Sequence, residues 1–448
     1  MHVCMLLGGT YPPDIRVEKE ARALLAAEHE VTLFCHGGKE DLRYEAVDGV
    51  GVIRLRRADP VQRVVGLASG LTNLAVGVYP QWIRTLDRAL RGGADAIHVH
   101  DLPLVRTALV ASASRNVPVI ADLHENYPEA LRQWRRRQND GSLGERLRWG
   151  LERTGMSVSR LKRLERSCVA HADHVLTVCE EGKHHYVRDC GANPTEVSVI
   201  RNTVDLDRFD PYLPGRDARS GSEDGGDARP PGLSAFDESD FLATYVGRLG
   251  AHRGLETVLD ALARLETSTT VPARLVIVGP DDSENADVLR EHARRLGVAD
   301  RLSFTGWVEF EDVPRYMAAS DACLVPHAAT PHTETTVPHK LFQYMAASRP
   351  VLATDVAPLQ RIVEGAEAGL VTPAGDGEAM AEAIATLSRD PERADRLGRN
   401  GRRAVEERFD WARDAEALRG IYRDLDIGSR SDSGSTLAPD SDGQARSD

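Results

Sequence analysis

Lysine is scarce in this sequence: of 448 residues only positions 19, 39, 162, 183 and 340 carry it, and arginine supplies nearly all the positive charge. Acids still outnumber bases. The formal charge of -13 argues against nonspecific nucleic-acid binding. Cysteine is sparse and unpatterned: Cys4, Cys35, Cys168, Cys179, Cys190 and Cys323 form no CxxC pair and no metal-ligand spacing. Reduced, mostly buried thiols of a cytosolic protein are therefore expected. The glycine-rich stretch GRLGAHRG matches neither GxGxxG nor GxxxxGK[ST], so hydride transfer and phosphate-transferring ATPase chemistry lose support. The N-terminal MHVCMLLGGTYPPD has no basic n-region, and a strand is expected there, not a signal peptide. One uncharged run occurs, VVGLASGLTNLAVGVYPQWI at 64–83. Its glycines, its proline, Asn73 and Gln81 favour a packed or interfacial helix and loop over a membrane span.

What is present is alternation. Across the first 200 or so positions, short apolar runs (HVCMLL, HEVTLFC, DAIHVHD, VPVIADLHE, DHVLTVC) alternate with helical patterns such as VEKEARALLAAE and PLVRTALVASA. That order indicates a doubly wound parallel sheet. After FLATYVGRLG the pattern restarts, with RLVIVGP, RLSFTG, ACLVP and VLATD as further strands. The expected fold is α/β, two Rossmann-like doubly wound parallel-sheet domains facing a central cleft, with ligands beyond the carboxyl ends of the strands. Expected boundaries are 1–205 for the first domain, 206–240 for a linker or surface insertion and 241–405 for the second domain. Residues 406–426 form a last helix with a good apolar face. Residues 427–448 read as a disordered tail on composition.

The strand ends carry the chemistry. In TETTVPHKLFQYMAASRPV (333–351), Thr335 or Thr336 can cap a helix, Pro338 suits its first turn, and Leu341, Phe342, Met345 and Ala346 supply a buried face. Its start then faces out of the core with free N–H groups, where a phosphate is a natural guest, an ordinary capped helix being the alternative. In GRLGAHRG, Gly247, Gly250 and Gly254 permit close backbone approach, while Arg248 and Arg253 offer cations to a diphosphate. His98 and His100 have alternate-face strand spacing and are expected in structural or cleft-edge roles, with metal binding as the alternative. Glu125 and Glu129 near Asp122 raise glycoside hydrolysis, which leaves the phosphate features unexplained. Residues 131–166, rich in arginine with Trp134 and Trp149, suit a solvated helix face or contact with an anionic membrane.

Together YPPDIRVEKEARALLAAEHEVTL, HVHDLP, DLHENYPE, VIRNTVDLDRF, VGRLGAHRGLETVLDA, FTGWV and PHKLFQYMAASRPVLATD, which span most of the chain, resemble the retaining glycosyltransferases of family 4 with the GT-B fold. The resemblance implies a UDP- or GDP-linked sugar donor held by the second domain, an acceptor held by the first, and neither cofactor nor metal. It also implies that 406–426 crosses back onto the first domain. Carried over, Arg248 and Arg253 stabilise the leaving diphosphate and Glu334 contacts the transferred sugar's hydroxyls. The backbone at Thr335 and Thr336 with the helix start and Lys340 hold phosphate, Gln343 faces the ribose, and Gly247, Trp307 and Val308 border the nucleotide. His124 sits beside the reacting carbon; Tyr11, Asp14, Arg16 and Glu125 fall to the acceptor side.

Two positions depart from the family pattern. The family has two glutamates with seven residues between them, whereas Glu334 and Gln343 have eight between them and the second is an amide. The double glycine common after the first strand's PP is replaced by DIRVEKE. The implied activity is transfer to a glycan or polyprenyl-linked acceptor in surface polysaccharide, glycolipid or protein-glycan assembly. Its implied setting is the cytoplasm or the inner membrane face. The other readings are a nonhydrolysing sugar-nucleotide epimerase and a noncatalytic GT-B subunit.

Overall fold

The computed structural model describes residues 1–38, 41–56, 77–136, 157–213, 230–268 without 232, 234, 235 and 238, and 272–434. Most of 64–83, the 137–156 part of the arginine-rich stretch and most of the linker lie outside the described residues.

Strands β1 (His2–Thr10), β2 (Glu30–Gly37), β3 (Tyr44–Val47), β4 (Val50–Arg56), β5 (Ala96–His100), β6 (Val119–Asp122), β7 (His174–Thr177) and β8 (Val197–Val199) form one sheet, in the order β3-β4-β2-β1-β5-β6-β7-β8. Helices cover both faces, so the central strands are buried on both sides and read as continuous apolar runs. All pairings are parallel except β3 with β4. That antiparallel pair is an edge addition to the expected doubly wound parallel sheet. Its hairpin turns at Asp48-Gly49, both at positive φ (50° and 85°), the backbone that a two-residue turn between right-twisted strands requires.

The second sheet is wholly parallel, with β9 (Phe241–Val246), β10 (Ala273–Val278), β11 (Leu302–Phe304), β12 (Ala322–Val325), β13 (Val351–Thr354) and β14 (Gly369–Thr372) in the order β11-β10-β9-β12-β13-β14. Strand order reverses between β1 and β5 in the first sheet and between β9 and β12 in the second. Loops leaving those strands diverge and open a crevice at each carboxyl edge. The two domains share apolar packing: Val178, Cys179, Val204 and Phe209 join Val337, Leu341 and Phe342 in one core. Polar ties add direction, with Arg361 bidentate on Glu181 at 2.7 and 2.9 Å and Asn202 donating to the Val337 carbonyl at 2.9 Å.

The chain then returns to the first domain. Helix Pro391–Arg408 ends at Phe409 and a new helix runs Trp411–Gly434, so the crossing segment begins at 411 and not at 406. It also continues past 426 into the stretch expected as a tail, because extending an established helix adds one hydrogen bond per residue and needs no new nucleus. Asp414 accepts from Arg201 N–H and the Thr203 hydroxyl, and Lys19 lies 4.4 Å from the Trp411 ring centroid. The Tyr422 hydroxyl is 2.8 Å from His98 Nδ1.

Candidate active site

On the second domain the site grows from the β9 and β12 ends. β9 runs into Gly247 at φ 118°, where a Cβ would approach Lys340 Nζ to 3.1 Å, so the backbone here is both glycine-shaped and close to a cation. The following loop closes at Gly254 (φ 64°), where a Cβ would sit 1.9 Å from the Pro326 carbonyl oxygen. Glycine alone lets this loop lie against β12. The closure brings Arg253 to His327, with Nη1 to Nε2 at 3.1 Å, while Arg248 is exposed. Lys340 stands over the Tyr245 ring at 3.6 Å from its centroid.

Two cations meet here without a carboxylate. Among the described residues neither Arg253 nor Lys340 forms an ion pair. Burial, reinforced by Arg253, pushes the Lys340 ammonium well below its ordinary range. Burial and the same arginine hold His327 neutral. An anion bound between them would reverse the penalty on Lys340, which makes this corner a receptor for negative charge. Helix His339–Ala346 starts beside it, with Pro338 as N-cap and no side-chain cap. The expected caps are used elsewhere: Thr335 Oγ1 donates to the Pro331 and His332 carbonyls, and Thr336 Oγ1 donates to the His124 carbonyl at 3.0 Å. The Leu341 N–H bonds the Pro338 carbonyl at 3.2 Å, and the helix start keeps the N–H groups of His339 and Lys340 for a ligand, as partial positive charge.

Across the cleft, His124 follows β6. Its Nε2 is 3.4 Å from Asp101 Oδ1 and its Nδ1 3.5 Å from Asp122 Oδ2. Burial alone would lower the imidazole, but Asp101 and then Asp122 push it up to about 10, so it is an imidazolium at neutral pH. Burial raises the Asp101 carboxyl even against His124. Asp101 has φ 67° and makes no side-chain cap to the helix it precedes, a strained position of the kind that clusters at functional sites. Tyr186 steadies the loop from below, its hydroxyl 3.4 and 3.3 Å from the Leu123 and Glu125 carbonyls.

Several residues expected at the acceptor do not face the cleft. Arg16 is 3% exposed and donates to both oxygens of Asp122 (2.7 and 2.5 Å), to the Ile200 carbonyl and to Asn202, with Glu20 at 3.0 Å. It is a buried countercharge, not an acceptor ligand. Tyr11 is buried in the first core and its carbonyl accepts from Arg54. Asp14 caps helix Ile15–Ala26 through Arg16 and Val17 N–H, both at 3.1 Å. Arg16 and Tyr11 are buried and so unavailable as acceptor ligands, whereas Asp14 is half-buried and its cap uses only Oδ1. Glu125 is half-buried and unpaired among the described residues. Glu129 is held by Arg132 and Lys162, which leaves no free carboxylate pair with Glu125 for hydrolysis.

Other positions are more mixed. Glu334 lies in a short turn of helix and its Oε2 accepts from Ala357 N–H at 2.9 Å, capping the Ala357–Gly365 helix. Gln343 sits on the His339–Ala346 helix, half-buried, with its amide unbonded among the described residues. Trp307 is 63% exposed and bonds Glu309, while Val308 packs on a small core.

His98, His100, Glu20 and Asp122 offer donor atoms within 4.8 Å of one another. Arg16 already bridges both carboxylates, so a divalent ion there would stand against a guanidinium. The group is a self-neutralised network that links Tyr422 through His98, Glu20, Arg16 and Asp122 to His124. Sequence reasoning missed Asp101, Glu20 and Lys19. The DLP and VEKE motifs contain them, but only the fold shows that they converge.

The model for Glycosyltransferase Family 4 matches residues 15–208, and that for Glycosyl transferases group 1 matches residues 233–404. The chain belongs to the family 4, group 1 glycosyltransferases. It is a GT-B glycosyltransferase. It is 23% identical to glycogen synthase of Mycobacterium tuberculosis over 437 residues, covering 93% of this chain and 94% of that protein. It is 27% identical over 430 residues to alpha-maltose-1-phosphate synthase of Mycolicibacterium smegmatis, covering 92% and 97%. The fold is similar to sucrose-phosphate synthase from Thermosynechococcus elongatus, with TM-score 0.73 and 22% identity over 96% of this chain and all of that one. It is also similar to Anabaena HepE in complex with UDP-glucose, with TM-score 0.66 and 16% identity over 95% of this chain and all of that one. No helix among the described residues is long and apolar enough to cross a membrane.

Proposed function

We propose that this glycosyltransferase moves a sugar from a UDP- or GDP-linked donor to a glycan or polyprenyl-linked hydroxyl, with retention of anomeric configuration and without a metal. The observation that carries the reading is the pair Arg253 and Lys340, cations without carboxylate partners, beside an uncapped helix start at the strand-order reversal of the second sheet. The complex of the structurally similar HepE with UDP-glucose supports the same donor class.

As the glycosidic C–O bond breaks, charge builds on the leaving diphosphate, and Arg248, Arg253, Lys340 and the free N–H groups neutralise it in place. Side-chain cations do here what a divalent ion does elsewhere. The leaving phosphate oxygen takes the acceptor's proton on the face it leaves, so no carboxylate base is needed and configuration is kept. His124, held as a cation by Asp101 and Asp122 at its two ring nitrogens, brings positive charge to the sugar side of the cleft and is unsuited to act as a base. Glu334 keeps one carboxylate oxygen for a sugar hydroxyl, and Gln343 offers an amide to the ribose.

Slow hydrolysis of the sugar nucleotide without acceptor tests the stereochemistry. NMR of the freed sugar before mutarotation should show the donor's configuration. An inverted anomer contradicts retention, and an epimerised sugar indicates the epimerase reading.

A further inference from the structure

We propose that Glu165, His185 and Cys190 form a structural site for a borderline-soft divalent ion of the zinc class in the first domain. Glu165 lies in helix Val158–Val169, His185 in helix Glu180–Arg188, and Cys190 two residues beyond that helix. His185 Nε2 is 3.5 Å from Glu165 Oε2 and 3.8 Å from Cys190 Sγ, and all three donor atoms lie within 4.8 Å of one another. Zinc at its usual bond lengths to nitrogen, oxygen and sulfur, in a tetrahedron, sets N and O about 3.3 Å apart and N and S about 3.5 Å apart. Movements of a few tenths of an ångström seat an ion.

A second feature points the same way. The other ring nitrogen, Nδ1, is 2.9 Å from Asp189 Oδ2, the carboxylate–histidine arrangement that leaves the Nε2 lone pair facing the remaining donors. Thiolate, imidazole and carboxylate together suit zinc or cobalt, not magnesium or calcium. Glu165 and Cys190 are buried while the His185 side chain is 15% exposed, which leaves one side open for entry and for a water as fourth ligand. On binding, the Cys190 S–H bond breaks, the sulfur keeps the electron pair for the ion and the proton leaves to solvent, with no redox change.

The sequence spacing hides this site, because its ligands come from two helices separated by β7. Its role is mechanical. Cys190 follows the C-terminal end of a helix whose N-terminal end faces the cleft, so the ion stands away from the transferred sugar. Clamping this helix to Val158–Val169 stiffens the neighbouring Tyr186, which holds the carbonyls on either side of His124.

The test is Co²⁺ titration of the tag-free, metal-stripped full chain. A thiolate-to-cobalt charge-transfer band and tetrahedral d–d bands should saturate at one ion per chain. They should vanish in Cys190→Ser and persist in Cys35→Ser. Asp189→Asn should weaken the affinity about 10- to 100-fold. Zn²⁺ should raise the thermal midpoint of the wild type but not of Cys190→Ser. If Cys190→Ser does not fold, His185→Ala takes its place with the same expected loss. No band in the wild type under excess cobalt, or an unchanged band in these variants, overturns the site.

Discussion

The two domains handle charge at their strand ends in opposite ways. In the first, Arg16 meets Asp122 and Glu20 at 2.5 to 3.0 Å, and the histidines of β5 close the remaining valences, so the charges cancel inside the protein. In the second, Arg253 and Lys340 stand close together and the nearest titratable partner of Arg253 is a histidine held neutral. Both sets are partly or wholly buried and both lie at the reversal of strand order. Balance, not burial, separates them: a cancelled set holds the fold, and an uncancelled set awaits a ligand of opposite charge.

Breaking the cancelled set should have the largest effect. Arg16→Met leaves two buried carboxylates without their cation and should lower unfolding free energy by about 3–5 kcal/mol, measured by urea denaturation. Arg253→Ala removes charge that matters in the transition state and should cut kcat/KM about 100- to 1,000-fold with the urea midpoint near wild type. If it destabilises as Arg16→Met does, the contrast between the domains is wrong. Lys340→Met should weaken nucleoside diphosphate binding about 10-fold or more, the worth of one charge-assisted hydrogen bond, and should not destabilise the free protein, since it relieves a buried charge.

A further effect concerns pH. The folded pKa of His124, about 10, lies above its ordinary 6.5, so its stabilisation is complete below about 6.5 and fades as pH rises toward 10. The thermal midpoint of wild type should fall more between pH 6.5 and 9.5 than that of His124→Gln. An equal fall in both contradicts the Asp101–His124–Asp122 arrangement.

Much of this was legible in the sequence. Alternating apolar runs and helical patterns announced two parallel sheets, and GRLGAHRG with PHKLFQ marked the charged corner of the second. The β3–β4 hairpin escaped because β3 is only four residues long and half-exposed, although Asp48-Gly49 is a hairpin signal in its own right. Arg16 was misread for a different reason. A cation next to a strand end looks the same in sequence whether its partner is a ligand or an aspartate 106 positions away. Glu334 and Thr336 show the same limit: each has the residue type for a ligand contact, and each also bonds a backbone group from a distant element. Asp101 carries its information in a backbone angle, which composition does not record.

The decisive measurement is calorimetric titration of UDP, GDP and ADP, in EDTA, into the wild type and Arg253→Ala. One diphosphate should bind the wild type without a divalent ion and bind Arg253→Ala at least tenfold more weakly. Failure of all three to bind, or equal affinity in the two proteins, contradicts the assignment of the uncancelled cations to a donor diphosphate.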